Sequence, residues 1–210
     1  MLRKTKIIFS FIVLFIGILI FASEYFESKK IAVYDYMNEL YYSEEIEVAE
    51  VLEIETIENQ ENNKEENKEE VSYSNKSIYI GYLNIPDIDL KKGFTEKNSK
   101  YNTVDKNIEI LDASDYPDTD GGNLILAAHS GNSSVSYFKK LHMLDNGATV
   151  YVDYKNVTYT YKIVNIYEIE KTGKANIKRR KDISSITLIT CTRSNKNTQT
   201  IYIGELINKN

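Results

Sequence analysis

The chain has 210 residues, a net charge of −5 and 27% charged residues, so it is long enough for one main domain with appendages. The acidic balance argues against a nucleic-acid partner, and the basic run at residues 178–181 is too short to change that. The only cysteine is Cys191, which excludes an internal disulfide. Two histidines 13 positions apart and one cysteine do not have the spacing of a zinc site, so we expect no metal.

The N-terminus has the pattern of a membrane anchor. A basic segment, residues 1–6, precedes residues 7–22, which are apolar except for Ser10. This run is shorter than the ~20 residues a bilayer core needs, but Tyr25 and Phe26 extend it into the interface. We therefore predict a transmembrane helix over 7–26, with residues 1–6 cytoplasmic and the rest of the chain outside. A cleaved signal peptide is the alternative, although residues 21–24 make a poor cleavage site.

Residues 27–76 predict an acidic, largely disordered spacer. Residues 44–70 hold twelve glutamates and two lysines, a local charge of −10, which leaves +5 for the rest of the chain (−5 minus −10). Residues 59–70 contain no apolar side chain, so folding there would not offset the loss of chain entropy. Residues 30–57 alternate apolar and polar residues and are compatible with a short helix that continues the anchor.

Residues 77–210 predict a mostly β domain. One short helix over residues 135–144 fits the apolar spacing of Val135, Phe138, Leu141 and Leu144. Many short strands with a single helix are typical of a closed barrel or a sandwich. The predicted strands lie at residues 78–83, 108–111, 123–128, 149–154, 157–169, 186–192 and 200–207, with a further short extended piece starting at 88–90.

Two strands end in residues that can carry chemistry. His129 follows the buried strand 123–128, and Cys191 ends the strand 186–192. Strand alternation predicts that Arg193 shares a face with Cys191. A free thiol titrates at about 8.5, and a nearby cation lowers that pKa and favours the nucleophilic thiolate. A Cys, a His and an Arg are therefore a minimal set for acyl transfer. A buried structural cysteine and a structural histidine are the alternative, and His142 is most simply a surface residue.

The sequence resembles the sortases, the cysteine transpeptidases of Gram-positive cell surfaces. Thr187-Leu188-Ile189-Thr190-Cys191 matches the family's Thr-Leu-x-Thr-Cys signature. The run from Asn123 to Ser130 resembles the strand that ends in the catalytic histidine, with Ala128 in place of the usual glycine. The opening Ile80-Gly81-Tyr82-Leu83-Asn84-Ile85-Pro86 resembles the family's first strand. The similarity runs from about residue 78 to residue 206.

The resemblance implies an eight-stranded β-barrel that cleaves a C-terminal sorting signal of the LPXTG type through a thioacyl intermediate. Cys191 would be the nucleophile and His129 the general acid and base. Sortases usually carry an arginine on the strand after the cysteine, near Thr200 here, but no arginine follows Arg193. Arg193 is the candidate oxyanion stabiliser, and the alternative is a variant with a different oxyanion donor or with lost activity. Thr190 and Thr200 are candidate substrate-binding residues.

The resemblance also implies the partners of the reaction. They would be surface proteins with an LPXTG-like signal and an amine of the peptidoglycan precursor or its cross-bridge. The family needs no cofactor, although some members bind calcium. Two alternatives stay open: an anchored, non-catalytic β-barrel that binds or scaffolds, and a pilin-polymerising sortase. The lack of a second apolar span argues against the last of these.

Overall fold

The computed structural model describes residues 2–58 and 78–210, and it forms two compact units, Met1–Asn38 and Glu39–Asn210. Helix α1 covers Leu2–Glu58. Eight strands follow: β1 Tyr79–Ile85, β2 Leu90–Thr95, β3 Glu109–Ile110, β4 Asn123–Ala127, β5 Thr149–Tyr154, β6 Val157–Glu170, β7 Ser185–Cys191 and β8 Thr198–Lys209. Two 3-10 helices lie at Pro86–Ile88 and Leu141–Met143.

Helix α1 continues past residue 26, as the sequence allows for residues 30–57. Residues 27–58, the first part of the predicted spacer, belong to the helix. They contain neither proline nor glycine and are rich in glutamate, a good helix former, so nothing in this segment breaks the backbone hydrogen bonding. Residues 59–76, the rest of the predicted spacer, lie outside the described residues.

A search of the described residues for a helix both long and apolar enough to cross a bilayer finds none.

The strands form one sheet in the order β2-β1-β5-β6-β8-β7-β4-β3. All pairs are antiparallel except β4 and β7, which are parallel. A bridge between Phe94 and Ile108 brings the two edges of the sheet together, so the sheet is nearly closed into a barrel. This confirms the predicted eight-stranded barrel and decides against the sandwich.

Side chains pack on both faces of strands β4, β7 and β8. The barrel core lies on one face and includes Leu124, Leu126, Leu188 and Tyr202. On the opposite face, alternate residues form a second apolar cluster, made of Ile125, Ile189, Ile201 and Ile203 with the partly buried Leu111, Ala127, Tyr167, Ile169 and Ile177. These strands therefore read as continuous apolar runs because they are covered on both faces.

The predicted helix at residues 135–144 is wrong. The structure has turns there and only a three-residue 3-10 helix at Leu141–Met143. Phe138, Leu141 and Leu144 are buried, so the apolar spacing identified core positions correctly. The backbone N–H of Phe138 donates to the carbonyl of His129 at 3.0 Å instead of to a residue four positions earlier, which excludes a regular helix.

Candidate active site

The parallel pairing of β4 and β7 brings the two predicted catalytic residues to one end of the sheet. Asn123 pairs with Ser185 and Ala127 with Ile189, a constant offset of 62 positions. The same offset aligns His129 with Cys191, two positions beyond the pair of Ala127 with Ile189. The hydroxyl of Ser130 donates to the carbonyl of Cys191 at 2.7 Å, which ties the two chain segments together past the sheet. The register places both residues at the same end of the sheet, and the contact of their side chains stays a prediction.

Thr190 ties the same two strands together one residue before the cysteine. Its hydroxyl donates to the carbonyl of Ala128 at 2.8 Å, and the residue is buried. Because this hydroxyl is already bonded within the protein, the structure gives Thr190 a part in holding the strand ends. Substrate binding by Thr190 stays a prediction.

His129 is partly exposed and has an acidic partner that the sequence did not reveal. Its Nε2 lies 3.1 Å from Oδ1 of Asp105, which is on the loop between β2 and β3. The side chain of Asp105 is 81% exposed and that of His129 42% exposed. A contact this accessible to water contributes little energy, so the part it can play is to orient the imidazole ring.

Cys191 carries a free thiol that is partly exposed at the end of β7. The ammonium of Lys171 lies 3.5 Å from its sulfur. Lys171 follows the last residue of β6, and its backbone N–H donates to the carbonyl of Asn197 at 2.8 Å. No motif singled out Lys171, because its position beside the thiol depends on the pairing of strands that are distant in sequence.

Arg193 lies near the site, but its guanidinium points to another partner. Its Nη1 is 2.7 Å from Nε2 of His142, and both side chains are at the surface. Strand β7 ends at Cys191, so the alternation that predicts a shared face does not extend to Arg193. The role of Arg193 as oxyanion stabiliser stays a prediction.

Thr200 occupies the strand position where an arginine was expected. It pairs with Thr190 on β7, and its hydroxyl lies 2.9 Å from that of Thr192. The residue of β8 directly opposite Cys191 is Gln199. The position facing the thiol across the ladder is therefore Gln199 instead of Thr200. Substrate binding by Thr200 stays a prediction.

A loop covers one side of the second apolar cluster, whose strands lead to Cys191. Residues 171–184 connect β6 to β7, and Ile177 of this loop packs against the cluster. The phenol of Tyr167 donates to the carbonyl of Asn176 at 3.0 Å and accepts from the N–H of Lys178 at 2.9 Å. Arg179 donates to the carbonyl of Gly121 at 3.0 Å. Residues of the basic run at 178–181 therefore help to hold this loop to the barrel.

The described residues contain no group of three or more side chains of the kind that could hold a metal ion. The chemistry that the site can perform follows from its own groups: a thiol at the end of one strand, an imidazole at the end of the adjacent strand, and an ammonium within hydrogen-bonding distance of the sulfur. These are the groups that acyl transfer through a thioester requires.

Comparison with known proteins identifies relatives of this chain. The family model described as "Sortase domain" matches residues 83–206. Sortase A of Staphylococcus aureus is 29% identical over 126 residues, which cover 59% of this chain and 60% of that protein. The match thus spans less than two thirds of that relative.

Solved structures show the same fold. Sortase C1 of Streptococcus agalactiae superimposes with a TM-score of 0.56 at 27% identity, over 63% of this chain and 69% of that one. A sortase C of Clostridium perfringens, solved with the C-terminal cell wall sorting motif, gives a TM-score of 0.54 at 21% identity, over 62% of this chain and 71% of that one.

Proposed function

Because this chain belongs to the sortase family, we propose that it is a cysteine transpeptidase that joins surface proteins to the cell wall. In this proposal Cys191 is the nucleophile and His129 the general acid and base. The observation that carries the proposal is the parallel register of β4 and β7, which aligns the two residues at one end of the sheet.

The proposed reaction has two halves. The thiolate of Cys191 attacks the carbonyl carbon of the scissile peptide bond, a C–S bond forms, and the carbonyl electrons move to oxygen. Collapse of this oxyanion breaks the C–N bond, and the His129 imidazolium gives its proton to the departing amine. An incoming amine then attacks the thioester, His129 accepts its proton, and the thiolate leaves.

The proposed substrate is a protein with an LPXTG-like C-terminal sorting signal. The support is twofold: the chain contains the Thr-Leu-x-Thr-Cys signature, and a sortase C of this fold has been solved with a cell wall sorting motif. Ala127 and Ile169, two partly buried residues that pack against the second apolar cluster, leave apolar surface on the face of the sheet that Cys191 shares, which suits the leucine and proline of such a signal. The proposed acceptor is an amine of the peptidoglycan precursor or its cross-bridge.

We further propose that the N-terminal helix attaches the enzyme to the outer side of the cell membrane. Large apolar side chains are exposed at consecutive positions from Phe11 to Ile16, and consecutive positions of a helix point in all directions. A helix that is apolar all round needs an apolar environment. Cell fractionation checks this proposal: the protein is expected with the membranes, and its release by high salt alone would contradict membrane insertion.

Peptide cleavage tests the transpeptidase proposal. The full-length chain in detergent is incubated with a small library of sorting-signal peptides and hydroxylamine, which resolves a thioester as a hydroxamate. A hydroxamate at the threonine of one peptide is expected, with none from Cys191→Ala or His129→Ala.

Alkylation of Cys191 in the same preparation distinguishes the enzyme from a non-catalytic barrel with a structural cysteine. A catalytic thiol is alkylated rapidly by iodoacetamide at neutral pH, and His129→Ala slows that alkylation. A thiol that resists alkylation in the native chain and reacts only after unfolding would identify Cys191 as a packing residue, and the proposal would then be abandoned.

A further inference from the structure

We propose that Lys171 supplies the positive charge of this active site, the part that the sequence predicted for Arg193. The inference rests on the proposed function and names a further catalytic residue within it. It starts from one contact: the Lys171 ammonium donates to the sulfur of Cys191 across 3.5 Å.

The pairing of three adjacent strands fixes Lys171 in this position. On β8, Gln199 pairs with Ile169 of β6 on one side and with Cys191 of β7 on the other. The ladder continues one step past the end of β6, where the N–H of Lys171 donates to the carbonyl of Asn197. Lys171 is two residues beyond Ile169, so alternation places both side chains on the face of Cys191.

Neighbouring contacts support this face assignment. Tyr167 and Ile169 precede Lys171 in the same phase, and both pack against the second apolar cluster. Ile189 precedes Cys191 in phase and is a buried member of that cluster. The ammonium and the thiol thus lie at the ends of two in-phase rows of side chains, which makes their contact a consequence of the sheet.

The other cations around the site have different partners. The Arg193 guanidinium lies 2.7 Å from His142. Arg179 donates to backbone carbonyls, including that of Gly121, and Arg180 pairs with Asp182 and Glu205. Among the described side chains, Lys171 is the cation recorded within hydrogen-bonding distance of the sulfur.

The chemistry requires a permanent cation at this point. Before attack, the ammonium of Lys171 stabilises the thiolate. When the C–S bond forms, negative charge moves from the sulfur to the carbonyl oxygen, which is bonded to the same carbon. The same ammonium can donate to that oxygen. His129 carries the proton that the leaving and incoming amines exchange, so Lys171 acts only as a charge and a hydrogen-bond donor.

Alkylation of Cys191 tests this role without any peptide substrate. At 3.5 Å in a medium as polar as water, the attraction between two unit charges corresponds to a change in rate of about fivefold to tenfold. Lys171→Ala is therefore expected to slow alkylation by iodoacetamide at neutral pH by that factor, and Lys171→Arg to slow it by less than twofold. Lys196 lines an open surface cleft together with Lys171. Lys196→Ala therefore serves as the matched control and should leave the rate unchanged.

Restoring the positive charge from another position distinguishes the loss of the Lys171 charge from a structural defect. Because Gln199 faces Cys191 across the ladder, Gln199→Arg is expected to restore at least half of the lost alkylation rate in the Lys171→Ala background. A structural defect in Lys171→Ala would not respond to this change. Failure of both Lys171→Arg and Gln199→Arg to restore the rate would overturn the proposal.

Peptide turnover provides the second measurement. Lys171→Ala is expected to lower the rate of hydroxamate formation about 10²-fold, near the lower end of the loss for one oxyanion donor, because the side chain is exposed. Arg193→Ala should lower it less than Lys171→Ala does, and the reverse order would assign the charge to Arg193 and overturn the proposal. If no peptide is turned over, the transpeptidase proposal fails, while the alkylation rates still decide whether Lys171 activates the thiol.

Discussion

The hydroxyl of Thr190 is expected to hold the active site together, and its removal gives a measurable loss of stability. In Thr190→Val the side-chain shape is kept while the donor to the Ala128 carbonyl, 2.8 Å away, is lost. Both groups are buried, so that carbonyl loses its partner at a cost of about 1–3 kcal/mol. For a domain of this size the melting temperature should fall by very roughly 3–12 °C.

The chain offers a matched control with the opposite expectation. Thr95 is also fully buried, but its hydroxyl has no hydrogen-bond partner among the described residues. Thr95→Val removes a polar atom that was already unsatisfied, so it should leave the melting temperature unchanged or raise it. The two variants have the same change in composition, and only the hydrogen bond differs.

Thermal denaturation of both variants, followed by circular dichroism, is the assay. Thr190→Val should also lower the rate of Cys191 alkylation in the folded protein, because the bond joins the strands just before His129 and Cys191. Equal melting temperatures for the two variants would refute the reasoning that this hydroxyl fixes the strand ends.

Three further predictions concern other parts of the barrel. Asp105→Asn should lower hydroxamate formation by less than about tenfold, because the contact of Asp105 with His129 is largely exposed. A loss above about 10³-fold would contradict this, because losses of that size are typical of the buried aspartate of a catalytic triad. Gly204→Ala should destabilise the domain by about 1–3 kcal/mol in urea unfolding, because the added methyl would lie 2.8 Å from Ile186, and an unchanged midpoint would contradict that packing. Burial, with a smaller effect of Glu168, raises the pKa of Tyr202 from 10.0 to about 12. The stability linked to this raised pKa is therefore fully present below pH 10 and is lost as the pH rises through 12. Urea unfolding between pH 10 and 12 should show a shallower loss of stability in Tyr202→Phe, and parallel curves would contradict this.

The strands of the barrel could be predicted because their sequence pattern is strong. The run that became β4 is apolar at four of its five positions, and the run that became β7 is rich in isoleucine and threonine. His129 follows the first run and Cys191 ends the second. Since carboxyl ends of parallel strands meet at one edge, a parallel pairing was sufficient to bring the two residues together. The apolar spacing at residues 135–144 was equally regular but gave turns, because burial of Phe138 and Leu141 does not require a helix.

The cation beside the thiol could not be predicted in the same way. Lys171 reaches Cys191 through two ladders, β6 with β8 and β8 with β7, and a sequence does not state the register of either. Arg193 was the nearer residue in sequence, but its position depended on β7 continuing past Cys191, which it does not. Local alternation thus predicts faces only as far as the backbone hydrogen bonds of the ladder continue, which is to Lys171 after β6 and to Thr192 after β7.

In the proposed reaction the sulfur of Cys191 carries the acyl group of the sorting signal as a thioester. Intact-mass spectrometry of the full-length chain, mixed with a cleavable sorting peptide and quenched in acid, measures this directly. We expect a mass increase equal to the N-terminal part of the peptide, located on the proteolytic fragment that contains Cys191. The increase should be removed by hydroxylamine and absent in Cys191→Ala. Cleavage of the sorting peptide with no adduct on Cys191, or by the Cys191→Ala variant, would contradict the proposed reaction.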